Sequence, residues 1–138
     1  VNLKKNTSRF SFTPQKKKAI IYISSSKRNL FCSLVDPISS KVLTSWSLAS
    51  LEDGRFKKSL ILGSTHLGHL VSEKAQKLGF SLISVKSRGL GKGISLFIRS
   101  LFKSSLIMSS IQDNTESSHN GCRPPKVRRK KKGIRIRI

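Results

Sequence analysis

Both ends of this chain are acid-free blocks of positive charge, and that bounds what can fold. Residues 1–18 carry Lys4, Lys5, Arg9, Lys16, Lys17 and Lys18. Residues 119–138 carry Arg123, Lys126, Arg128, Arg129, Lys130, Lys131, Lys132, Arg135 and Arg137, and neither block holds an Asp or Glu. The two blocks contain 15 of the 28 cations, which leaves 13 basic and 6 acidic residues, net +7, for residues 19–118. Like-charge blocks bury no core of their own and order against a polyanion. The chain therefore reads as a basic N-terminal extension (1–18), one globular α/β body (19–118) and a basic C-terminal tail (119–138). With net charge +22 over 138 residues it repels itself, so its fitting partner is a polyanion, nucleic acid ahead of an anionic membrane. Apolar runs such as Ala19-Ile20-Ile21-Tyr22-Ile23 are far below the ~20 residues of a membrane span.

Within the body, Ala19–Ser24 is a β-type run, followed by the polar loop Ser25-Ser26-Lys27-Arg28-Asn29. Leu30–Val35, closed by the turn signal Asp36-Pro37, and Val42–Ser47 are two further runs. Short polar connections predict an antiparallel meander of three strands. The near-continuous apolar character of the first run predicts burial on both of its faces. The period then becomes helical: Leu67, Leu70, Val71, Lys74, Ala75 and Leu78 follow helical spacing with Lys74 the one polar break, Ser64 or Thr65 as N-cap and Gly79 at the stop. Leu82–Lys86 is a fourth strand, Ile94, Phe97, Ile98 and Leu101 mark a second amphipathic helix, and Leu106–Ile111 is a fifth strand. A meander followed by β-α-β crossovers implies a mixed five-stranded sheet with two main helices packed on it.

Three segments are candidates for chemistry. Ser87-Arg88-Gly89-Leu90-Gly91-Lys92-Gly93 lies between a strand and a helix, where alternating glycines admit a phosphate close to the backbone and Arg88 and Lys92 add charge. It has the form of neither a Walker loop nor a dinucleotide fingerprint, and points to an RNA-backbone contact. His66 and His69 sit at i, i+3, but no carboxylate or thiolate lies at a matching offset, so no metal site is expected. Cys32 reads as a core residue and Cys122 as a lone thiol in the tail, with no four-ligand zinc spacing and no disulfide framework. The only acids are Asp36, Glu52, Asp53, Glu73, Asp113 and Glu116. A nuclease would need several clustered around magnesium, and Asp36 with Asp113 is the one conceivable pair. Both read more simply as strand-end turn residues. No catalytic residues, cofactor or small-molecule substrate are expected. Aromatic residues are 7% of the chain and form no pattern of a base-stacking single-strand reader.

The octapeptide His119-Asn120-Gly121-Cys122-Arg123-Pro124-Pro125-Lys126 resembles the C-terminal signature of the small-subunit ribosomal protein S11 family. It follows Asp113-Asn114-Thr115 and precedes Val127-Arg128-Arg129, as in that family. Val85-Lys86 followed by Gly89 and Gly91-Lys92 is similar to the family's glycine loop. Val42-Leu43 with Trp46-Ser47 resembles its third strand, Phe56-Lys57 its basic loop, and Ser64-Thr65 the opening of its long helix. The chain departs from the family pattern at Ser87-Arg88, where Gly-Pro is usual, at Glu116 and Ser118, which replace prolines, and around Leu60–Gly63, where the basic loop is about two residues longer. It also continues past the usual end, through Lys130 to Ile138.

The resemblance implies a structural rRNA-binding protein of the small-subunit platform, beside other platform proteins and near the messenger exit. It implies RNA contacts at Lys27, Arg28, Asn29, Arg55, Lys57, Lys58, Ser64, Thr65, Lys86, Arg88, Gly89, Gly91 and Lys92. In the tail it implies them at His119, Asn120, Gly121, Arg123, Lys126, Arg128, Arg129, Lys130, Lys131 and Lys132. A-form RNA hides its bases in a deep groove, so shape and phosphate readout is expected. Serine fills 25 of 138 positions, and the N-terminal stretch starts at Val1 and is acid-free, in the manner of organelle-targeted sequences. A mitochondrial ribosome is the expected location, with a chloroplast or bacterial one as alternatives. The rival function classes are a histone-like nucleic-acid binder and a nuclease built on the same kind of sheet.

Overall fold

The structure is a computed structural model that describes residues 16–89 and 91–128, with only the backbone of Lys57. Three strands come first: β1 (Lys18–Ser25), β2 (Leu30–Val35) and β3 (Val42–Ser47). They are joined by a tight turn at Ser26–Asn29, where the Ser26 N–H donates to the Asn29 carbonyl at 2.8 Å, and by the turn after Asp36. A 3₁₀ turn (Leu48–Ser50) and a short helix α1 (Gly54–Lys58) lead into α2 (Leu60–Lys77). Strand β4 (Leu82–Arg88), helix α3 (Lys92–Phe102) and strand β5 (Ile107–Asp113) complete the body. The expected elements are all present. The ends of β1, β4 and β5 shift by one or two residues, and α2 starts earlier, at Leu60, because Ser59, not Ser64 or Thr65, caps it, and its hydroxyl accepts from the Leu62 N–H. Helix α1 lies where only a basic loop was legible.

The sheet order is β3-β2-β1-β4-β5, with β1 antiparallel to β2 and parallel to β4, and β4 parallel to β5. Both crossovers, β3-α2-β4 and β4-α3-β5, step across the sheet in the same direction. Right-handed crossovers then place both helices on one face. The burial pattern agrees. Ala19, Ile21 and Ile23 of β1 are at most 2% exposed, while Tyr22 between them is 41% exposed. So the expected two-faced burial of β1 is corrected: its apolar run is buried on one face only, and among the described residues no helix covers the other.

The core sits between the sheet and the helix pair. Leu67, Val71 and Ala75 of α2 and Ile94, Phe97 and Leu101 of α3 meet Leu30, Leu34, Ile83 and Val85. Burying each such large side chain contributes roughly 1.5–3 kcal/mol. The two helices approach closely at Gly68, where a Cβ would collide with the Ser100 hydroxyl and lie 3.1 Å from the Phe97 carbonyl oxygen. Cys32 is buried in the same core, and burial pushes its thiol pKa far up.

Candidate nucleic-acid interface

Strands β1, β3, β4 and β5 all run the same way, so their carboxyl ends share one edge of the body. The loop after β1 carries Lys27, Arg28 and Asn29. Arg55 and Lys58 lie in α1, shortly after β3, the glycine loop with Arg88, Gly89, Gly91 and Lys92 follows β4, and the tail follows β5. Helices α2 and α3 start at this same edge, and a Cβ on Gly93 would lie 3.3 Å from Leu60. This is the end of an α/β sheet where ligands generally bind. Topology thus gathers cations scattered over a hundred positions of sequence onto one edge.

Local chemistry fixes the loops. Gly89 has φ +95°, and a Cβ there would be 2.8 Å from the Ser25 carbonyl oxygen, so the glycine loop packs directly on the end of β1. Helix α3 begins after Gly91 with no side chain capping its first amides, which leaves N–H donors of the kind that hold phosphates. The Asn29 Oδ1 accepts from the Leu30 N–H at 2.9 Å and the Leu48 N–H at 3.1 Å, so it ties the β1–β2 turn to the 3₁₀ turn. Asn29 is therefore a positioning residue for Lys27 and Arg28, which are exposed.

The tail is anchored where it leaves β5. Asp113 Oδ1 accepts from the Thr115 N–H at 3.0 Å, Asn114 N–H donates to the Ser87 carbonyl at 2.8 Å, and the Thr115 hydroxyl accepts from the Gly89 N–H at 3.1 Å. Arg88 pairs with Glu116 at 2.9 Å on the surface. Beyond this clasp residues 117–128 are exposed, with His119, Arg123, Lys126 and Arg128 open to solvent. Asn120 and Gly121 have φ +70° and +55°, in the left-handed region, and the chain bends at Cys122. Arg129, Lys130, Lys131 and Lys132 lie outside the described residues, as does the side chain of Lys57.

Some expectations change. Ser64 is fully buried and its hydroxyl donates to the Leu60 carbonyl at 2.5 Å, so it packs α2 and offers nothing to a ligand. Thr65 is half-buried and donates to the Leu62 carbonyl at 2.8 Å. His66 stacks on Phe56 at 4.2 Å between ring centres. Among the described residues no three His, Cys, Asp or Glu side chains gather into a metal site. The Asp36 and Asp113 pair fails on register. Asp36 follows Val35, which pairs with Ile20 near the start of β1, whereas Asp113 pairs with Ser87 beside Ile23 near its end. Three strand spacings, about 14 Å, separate them across the sheet as well. Each serves its own turn: Asp36 accepts from the Ile38 N–H and the Ser39 hydroxyl, which hold its pKa below the usual carboxylate value.

The family model for ribosomal protein S11 matches residues 19–129. Small ribosomal subunit protein uS11m of Prototheca wickerhamii is 36% identical over 115 residues, which span 83% of this chain and 89% of that protein. Small ribosomal subunit protein uS11 of Orientia tsutsugamushi (strain Boryong) is 30% identical over 110 residues, 80% of this chain and 86% of its own length. Apart from Lys18 at the start of β1, the match covers every described strand and helix together with the octapeptide of the tail, and the chain belongs to the ribosomal protein S11 family.

Proposed function

We propose that this chain is a structural constituent of the small ribosomal subunit that binds rRNA on the platform through the carboxyl edge of its sheet and its tail. The observation that carries this reading is the gathering of Lys27, Arg28, Arg55, Lys58, Arg88 and Lys92 on one edge, from which the exposed tail departs. Arginine in the tail suits bidentate phosphate contacts, and Pro124-Pro125 stiffens the path beyond the Asn120-Gly121 turn. The extension 1–18 and the tail 119–138 act as arms, and the body 19–118 as the folded domain that aims them. The protein works by positioning RNA, with no catalytic step, beside neighbouring platform proteins near the messenger exit. Its place is the mitochondrial ribosome, a reading supported by the uS11m relative and the serine-rich composition.

The test is the salt dependence of binding to a small-subunit rRNA platform fragment. Each phosphate contact contributes a log–log slope of roughly −0.7 to −0.9. The full chain should show a steep slope, and a variant lacking residues 119–138 a flatter one by several contacts. An identical slope for both proteins removes the tail from the interface.

A further inference from the structure

Because both helices lie on one face, no described helix or strand covers the opposite face of the sheet. Its side chains alternate with the core residues: Phe31, Ser33 and Val35 on β2, Ile20, Tyr22 and Ser24 on β1, Leu82, Ser84, Lys86 and Arg88 on β4. Tyr22 and Phe31 remain 41% and 49% exposed. Register places Tyr22 opposite Ser33 and Phe31 opposite Ser24, so the two rings are diagonal neighbours on adjacent strands. The Lys86 ammonium lies 5.4 Å from the centre of the Tyr22 ring. A cavity of 290 Å³ opens here, lined by the aromatic pair, Lys86 and Arg88 together with Asn114 and Glu116.

We propose that this open face is a seat for unpaired RNA nucleotides, whose bases stack on Tyr22 and Phe31 while Lys86 and Arg88 hold their phosphates. The inference rests on the RNA-binding function proposed above and adds a second contact mode to it. Exposed aromatics on adjacent central strands are the device by which RNA-recognition sheets take bases, and every base has a face to stack. The charge fits: two cations line the cavity, and its one acid, Glu116, is paired with Arg88. The Lys86 stem is flexible enough to swing its ammonium from the ring to a phosphate. Sequence pattern alone did not suggest this, since Tyr22 and Phe31 stand nine positions apart and only the strand register joins them.

The experiment uses the full chain with two probes: a ten-nucleotide oligoadenylate carrying one 2-aminopurine, and a blunt RNA duplex of equal length. Saturating protein should quench the 2-aminopurine, as a stacked base is quenched. The double variant Tyr22→Leu, Phe31→Leu should bind the single strand between about fivefold and a hundredfold more weakly per ring lost, with duplex affinity unchanged. Tyr22→Phe, which keeps the ring, should retain quenching and affinity, and it decides the matter should the double variant fail to fold. An unquenched probe on bound wild-type protein overturns the proposal, and so does equal weakening for both RNAs. Unchanged single-strand binding by a double variant that drops out of assembled subunits also overturns it, in favour of a protein neighbour. Binding of neither RNA by wild type overturns the broader RNA-binding reading as well, which keeps the two failures apart.

Discussion

At Gly89 the backbone adopts φ +95° directly against the Ser25 carbonyl, so a side chain there meets both strain and collision. Gly89→Ala should cost about 1–3 kcal/mol in urea unfolding. It should also weaken RNA binding, because the loop that carries Arg88 and Lys92 can no longer rest on β1. Asp36 gives a pH signature. Its folded pKa is lowered by hydrogen bonds from the Ile38 N–H and the Ser39 hydroxyl, so its contribution is present above the unfolded carboxylate pKa. That contribution is lost as pH falls through the folded value. The stability gap between wild type and Asp36→Ala should therefore be open at pH 7 and close on acidification, as followed by thermal melts across pH. A gap that is constant with pH would remove the carboxylate from the turn. The two thiols should separate cleanly: Cys122 is exposed and Cys32 is buried with a raised pKa, so only Cys122 should react with a thiol reagent in the native protein.

The elements differ in how legible they were. Strands β2 and β3 appear at the residues where turn signals bracket apolar runs, because Asp36-Pro37 and the polar loop before Leu30 leave the chain little choice. Helix α2 was legible over Leu67–Ala75, where its buried face repeats every three to four residues, whereas Leu78, expected on that face, is the C-cap residue and is 40% exposed. Its first turn was not, since Ile61 and Leu62 are exposed and break the period. Helix α1 had no apolar stripe to announce it. The continuous run in β1 misled because one-faced and two-faced burial look alike when the open face also carries Ile20 and Tyr22. Likewise the cations of the interface were visible one by one, whereas their common edge and the aromatic pair arise from topology and register. At the α2–α3 crossing, Gly68→Val should separate the helices and destabilise by several kcal/mol, and Phe97→Ala by about 3–5. Calorimetric melting of the two variants checks both values.

For the whole molecule, charge sets the behaviour. A chain of net +22 has its folded state opposed by self-repulsion, and salt screens that repulsion. The melting temperature of the free protein should rise with ionic strength, while its RNA affinity falls over the same range. If small-subunit rRNA neutralises this charge, sedimentation shows it most directly. In a high-magnesium gradient of organelle extract, the protein followed by immunoblot should co-migrate with small subunits and survive a moderate salt wash. Protein remaining at the top of the gradient, or released by DNase, would contradict the account and return the chain to a general nucleic-acid binder.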